Sequence, residues 1–252
     1  MTSASVPQIF ERRQYAAKMA RGRHRQRHHG GASYLTDTMA GDVVERLDFM
    51  RFEPEKALVI GDVAGKLLQT LDEAGTQCAQ GRLGEFDEES PGPAQAFDLA
   101  VHLLGLAMVN DLPGALIHGR NAVAEGGLFI AAMPGAGSLP ALRQIALTAD
   151  GERPAARLHP LVDLRGATGL MERAGFRRQV VDSYPIRVRY PSFARMISDL
   201  RDHGITRALT SPAPPLTREW LARAEAEFDT LREGEDRKVT ETFEILVLTG
   251  WR

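Results

Sequence analysis

Three observations in the sequence predict an α/β fold built on a mostly parallel sheet. Short apolar runs of strand length alternate with amphipathic stretches of helix length. The first run, Ala57-Leu58-Val59-Ile60-Gly61, ends in glycine and leads straight into a helical stretch, as a buried strand does when it feeds a crossover helix. The last segment, Thr240–Trp251, alternates Phe243, Ile245 and Val247 against Glu244, Leu246 and Leu248. Together with Arg177–Pro185 it predicts an antiparallel edge.

The elements follow in order. Arg12 to His29 is a cationic segment: Arg12, Arg13, Lys18, Arg21, Arg23, Arg25 and Arg27 with His24, His28 and His29, and Glu11 the one acid nearby. It reads either as a solvated, mobile arm or as an anion-binding lid or docking arm. The three histidines have no spaced ligand partner, so no metal site is expected. Gly30-Gly31 breaks the segment. A helix capped by Thr36 or Asp37 follows, with Met39, Val43, Val44, Leu47 and Met50 at helical spacing. Residues 64–74 predict a helix stopped by Gly75, and Thr76–Ala79 a short strand. Residues 80–96 form a polar loop rich in glycine and proline. Phe97–Leu104 predicts a buried strand, Pro113–Glu125 a helix stopped by Gly126-Gly127, and Leu128–Met133 another strand. Helices are expected over Leu139–Ala149, up to Ala174 before Gly175, over Ser192–His203 and over Thr217–Glu233. Residues 1–52 are expected as a basic helical extension and 53–252 as the α/β domain.

Composition bounds the function. The chain has 252 residues, 43% hydrophobic and 25% charged, with 31 Lys and Arg against 33 Asp and Glu, a net charge of −2. That balance argues against a nucleic-acid partner. The one cysteine, Cys78, excludes an internal disulfide framework and fits a reducing, cytoplasmic compartment. No apolar run approaches the ~20 residues of a membrane helix, and Met1 to Phe10 has no apolar leader core. Gly-x-Ser-x-Gly is absent, and Gly135-Ala136-Gly137-Ser138 is followed by no phosphate-loop lysine. His102, in an apolar strand, reads as a core histidine.

Several motifs carry a resemblance over almost the whole chain. They are Val59-Ile60-Gly61-Asp62-Val63-Ala64-Gly65, Phe97-Asp98-Leu99, Val109-Asn110-Asp111-Leu112-Pro113-Gly114, Gly126-Gly127-Leu128-Phe129 and Met171-Glu172-Arg173-Ala174-Gly175-Phe176. Gln8-Ile9-Phe10-Glu11-Arg12, Arg189-Tyr190-Pro191 through Met196 and Asp199-Leu200, and the terminal Gly250-Trp251 add to them. Together they resemble the class I S-adenosylmethionine-dependent methyltransferases. The likeness is to the branch of respiratory complex I assembly methyltransferases, related to the malonyl-carrier-protein O-methyltransferase of biotin synthesis. The resemblance implies a Rossmann-like sheet and an S-adenosylmethionine site. By position, that site would use Gly61, Asp62, Gly65, Asp87 and Leu104, with Asn110, Arg157 and His159 on the substrate side. It names no catalytic residue.

The sequence departs from the family at the site itself. The acid expected at the end of the first strand is Val59, and the middle glycine of the loop is Val63. The ribose-binding acid after the second strand is missing: Gln80-Gly81-Arg82 stands there. Residues 75–91 barely hold the strand, helix and strand the family places there, since a crossover needs at least ~10–12 residues, so one helix–strand unit after residue 75 is expected to be shortened or lost. Asp87, Glu88 and Glu89 read as an adenine-side acid or as a solvated loop. The family's His-Trp pair is Ala107-Met108 here, and Asn110-Asp111 reads equally as a helix cap. Two functions follow. One is a divergent family member with a degraded cofactor site, serving as a binding or assembly factor for a protein partner. The other is an active methyltransferase on a small carboxylate or a protein side chain, with Asp62 and Asp87 replacing the lost acids.

Overall fold

The computed structural model describes residues 6–252; Met1–Ser5, part of the opening stretch discussed above, lie outside it. Helices α1 (Arg12–His29) and α2 (Tyr34–Met50) precede the sheet. Strands β1 (Lys56–Ile60) and β2 (Gln77–Gly81) flank α3 (Lys66–Glu73). Then come β3 (Phe97–Leu103), α4 (Leu112–Ala122) and β4 (Val123–Pro134). After α5 (Pro140–Asp150) and α6 (Leu164–Ala174) the chain forms β5 (Arg177–Tyr190), α7 (Phe193–Asp202), α8 (Arg218–Thr230) and β6 (Val239–Trp251).

The six strands make one sheet in the order β2-β1-β3-β4-β6-β5. β1 pairs in parallel with β2 and β3, and β3 with β4. β6 lies between β4 and β5, antiparallel to both. The antiparallel edge is as expected, but β5 runs on to Tyr190 rather than stopping at Pro185. Beyond β2 the described chain has neither helix nor strand before β3, so the expected loss of one helix–strand unit is what the fold shows.

Three expectations need correction. Residues 123–125 continue β4 rather than α4, because β-branched Val123 turns extended and pairs with Phe97. The cationic segment is not a mobile arm. It is the 18-residue helix α1, capped by the Glu11 carboxylate at Arg13 and Gln14 N–H, with buried Tyr15 and Met19 facing inward. α2 starts at Tyr34, two residues before the expected cap, and no side chain caps it.

The sheet strands are apolar because they are covered on both faces: Leu99, Val101, Leu128, Ile130 and Val247 have no exposed surface. α2 packs with α3 as one layer and α4 with α6 as another. α2 is further tied to the far edge by Arg46, whose fork meets the Asp182 carboxylate with two 2.9 Å bonds. Helices α5, α7 and α8 pack together, α8 touching both others. Residues of α1 and α2 share one continuous hydrophobic core with the sheet.

Candidate functional site

The loop after β1 is where the resemblance places the cofactor. Gly61 has φ +89°, and a Cβ there would collide with the Leu103 carbonyl, so only glycine lets β1 and β3 end so close together. Asp62 follows, 3% exposed. Its carboxylate accepts from Gly65 N–H at 3.1 Å and Leu68 N–H at 2.8 Å. Both oxygens are thus engaged by the start of α3, which uses Asp62 to satisfy its otherwise unpaired donors. Gly65 holds the left-handed turn into α3, with φ +76° and open space at its α-carbon.

The space above Gly61 is filled by the polar loop. Leu83, 2% exposed, places a methyl 3.2 Å from a Cβ at Gly61 and 2.9 Å from one at Gly105. Gly84 then meets α1, where a Cβ would lie 2.8 Å from Ala16 Cα. Phe86 packs over Gly81 at the end of β2. Glu88 turns inward, 5% exposed, with an oxygen 3.5 Å from His102 Nε2. His102 is the core histidine expected, 5% exposed, and neither of its ring nitrogens has a hydrogen-bond partner among the described residues.

α1 fastens this loop from outside. Arg12 meets Asp87 and Glu89, each at 2.7 Å, and Arg23 bonds the Leu83 carbonyl and Glu85. Asp87 also accepts from Ser90 Oγ at 2.6 Å. Partial burial pushes the Asp87 carboxyl up, but Ser90 and Arg12 together hold it below its usual value. The acidic triplet is therefore not a freely solvated loop. Glu88 is buried, and its two neighbours both pair with Arg12 of the N-terminal segment.

The substrate-side residues separate. Asn110 is fully engaged by the segment before α1: its Oδ1 accepts from Ile9 N–H at 2.7 Å and Phe10 N–H at 2.8 Å, and its Nδ2 donates to the Phe10 carbonyl. Asp111 caps α4 through Gly114 N–H, the helix-cap reading of that pair. Arg157, His159 and Leu104 do come together, on the wall of a cavity of about 830 Å³. Gly61, Asp62, Gly65 and Asp87 are not among its lining residues. Leu104 reaches it from the end of β3 with backbone φ +70° and ψ −45°, a strained conformation for a residue with a side chain. His159 accepts from Ala208 N–H through Nε2 at 2.9 Å, and burial, with Lys18 and Arg207 nearby, pushes its imidazole down to about 4. It is a neutral acceptor that anchors the 205–218 segment.

The sequence reading missed Asp150 and Trp220, which hold Arg157. The guanidinium meets Asp150 at 2.7 Å, Trp220 Nε1 donates to the same carboxylate at 2.7 Å, and the indole ring lies 5.4 Å from the guanidinium carbon. A tryptophan in the otherwise polar start of α8 was the visible signal. Of the arginines 187, 189, 195 and 201, Arg189 pairs with Asp236 and Arg195 with Asp199, while Arg187 and Arg201 meet no carboxylate among the described residues. The described residues include no group of three or more acidic, histidine or cysteine side chains placed to hold a metal, and no helix long and apolar enough to cross a membrane.

Solved structures share this architecture along its whole length. The [4+2]-cyclase SpnF aligns over 99% of this chain and 99% of its own, at 13% identity and TM-score 0.52. The Burkholderia thailandensis 1,6-didemethyltoxoflavin-N1-methyltransferase, solved with S-adenosylhomocysteine, aligns over 99% of this chain and 93% of its own, at 13% identity and TM-score 0.52. This chain has the class I methyltransferase fold. It is also a homologue of curated proteins of the expected branch. Arginine-hydroxylase NDUFAF5, mitochondrial, from Danio rerio is 28% identical over 228 residues, 88% of this chain and 66% of the relative. The Homo sapiens protein of that name is 32% identical over 170 residues, 66% of this chain and 49% of the relative. Malonyl-[acyl-carrier protein] O-methyltransferase from Xylella fastidiosa is 27% identical over 155 residues, 61% of this chain and 51% of the relative. The chain spans between about half and two thirds of the length of these NDUFAF5 relatives. No family model matches the chain.

Proposed function

We propose that this chain is a methyltransferase-fold binding factor that has given up the S-adenosylmethionine loop and works through its substrate-side cavity and a protein partner. The observation that carries the reading is Leu83, wedged between Gly61 and Gly105 where the cofactor's methionine portion would pass. Three further features support it. Asp62 has both carboxylate oxygens committed to its own loop, and Asp87 is committed to Ser90 and Arg12. Val63 stands at the middle glycine of the family loop. The unit that would wall the ribose and adenine side is missing beyond β2. The residues present therefore do not fit the cofactor. Losing two charged contacts alone lowers affinity by about 3–6 kcal/mol, two to four powers of ten. The single free Cys78 supports a cytoplasmic, reducing setting, although the NDUFAF5 relatives are named as mitochondrial.

Isothermal titration of the purified protein with S-adenosylmethionine and S-adenosylhomocysteine tests the proposal. No binding up to millimolar ligand is expected. Micromolar binding of either would overturn it and restore the methyltransferase reading, with a small carboxylate or a protein side chain as acceptor.

A further inference from the structure

The large cavity has two chemically different parts. Its floor is apolar: Leu142 and Ala146 of α5, Phe193 and Ile197 of α7 and Phe243 of β6, with the exposed Leu221 of α8 at its edge. The opening carries Leu216, 64% exposed, an apolar side chain left in solvent. Where α1 meets α7, three cations gather: Lys18, Arg201 and Arg207. Lys18 Nζ is 3.2 Å from Thr206 Oγ1. Arg207 bonds only carbonyl groups and Ser211, and no carboxylate lies within 4 Å of any of the three among the described residues. Burial and the charges of Arg21, Arg207 and Arg201 push the Lys18 ammonium below its usual value. Of the cavity's lining residues only Glu225, on α8, is acidic. Like charges gathered without a counter-charge at the edge of an apolar chamber are a standing electrostatic cost, relieved by an incoming anion.

We propose that this cavity binds a single-chain amphiphile with an anionic head, its aliphatic tail on the floor between α5, α7 and α8 and its carboxylate or phosphate at Lys18 and Arg201. The proposal deepens the binding-factor reading, and rests on it in taking the cavity as the working site. The chamber is of the size that encloses such ligands. Arg157 and His159 frame the site without reading the head: one is neutralised by Asp150 and the other accepts from Ala208 N–H.

The test is calorimetric titration of the full chain with decanoate, decyl phosphate and decanol, below micelle-forming concentrations. Binding of either anion at least tenfold tighter than decanol supports the proposal, and the ratio of the two anions separates a free carboxylate from a phosphate head. Octanoate, decanoate and dodecanoate are expected to tighten about fourfold per methylene. Lys18→Gln with Arg201→Gln is expected to weaken the anions at least tenfold and leave decanol unchanged. Arg201 is exposed and Lys18 half-buried, neither has a carboxylate partner, and an unchanged circular dichroism spectrum checks that the variant folds. Ile197→Trp, which fills the floor, is expected to weaken all three. Equal affinity for decanol and decanoate, anion binding indifferent to the double variant, or no binding at all would overturn the proposal. S-adenosylmethionine in the same series keeps the two readings apart: its binding would remove the binding-factor reading alone, and silence from every amphiphile would remove this one alone.

Discussion

Asp62 looks like a cofactor ligand in the sequence and acts as a helix-start acceptor in the structure. The sequence shows that an acid follows the first glycine, but not which way its carboxylate turns, because that depends on where Gly65 and Leu68 N–H groups point. If its role is the loop, Asp62→Ala leaves two half-buried donors unpaired and costs about 1–2 kcal/mol in urea unfolding. It would leave S-adenosylmethionine titrations as flat as those of the native chain. The buried histidines give a pH dependence. Burial pushes both His159 and His203 down to about 4 from 6.5. Between those values the unfolded chain binds protons that the folded chain does not, so stability is full above pH 6.5 and falls as pH drops toward 4, by at most about 1.4 kcal/mol per unit for each histidine. Melting temperatures from pH 7.5 to 4.5 should show the decline. His159→Gln, which keeps an acceptor for Ala208 N–H, should remove about half of the slope, and an undiminished slope would assign the decline to carboxylates.

Helix α1 and the 82–90 loop explain one another. The sequence displays a run of cations and, some 60 residues later, a run of acids; each alone reads as a solvated surface. Nothing in the spacing says that they meet, because the meeting is made by Leu83, Gly84 and Met19 packing where a helix–strand unit is missing. The loss itself was legible, since residues 75–91 are too few for three elements. Packing, rather than charge, is expected to dominate this contact. Leu83→Ala should cost about 2–4 kcal/mol, the range for a buried leucine. Arg12→Ala, at a half-exposed ion pair, should cost less than about 1 kcal/mol. Amide exchange over residues 82–90 reads the difference: faster in the leucine variant and close to native in the arginine variant. The reverse order would mean that ion pairs hold the loop.

At the scale of the whole molecule, the strand sequence and the antiparallel edge were legible because period and length survive in buried strands. The cavity was not. Its walls come from α1, α5, α7, α8 and the 205–218 segment, which stand as much as 207 residues apart in sequence, from Lys18 to Glu225, and only the fold brings them to one place. The strand order also has a temporal consequence. β6 is made after both of its neighbours, yet it lies inside the sheet, bonded along both edges to β4 and β5. While translation proceeds, β4 and β5 have no neighbour to join them, and the nascent chain holds two long unsatisfied rails, both attractive to chaperones or to other nascent chains. Chains stalled before Val239 should accordingly be digested by protease throughout residues 123–190, and protection should arrive in one step once Trp251 has emerged. The sheet is thus completed by an insertion rather than an addition, and nothing before that moment is a smaller version of the finished sheet.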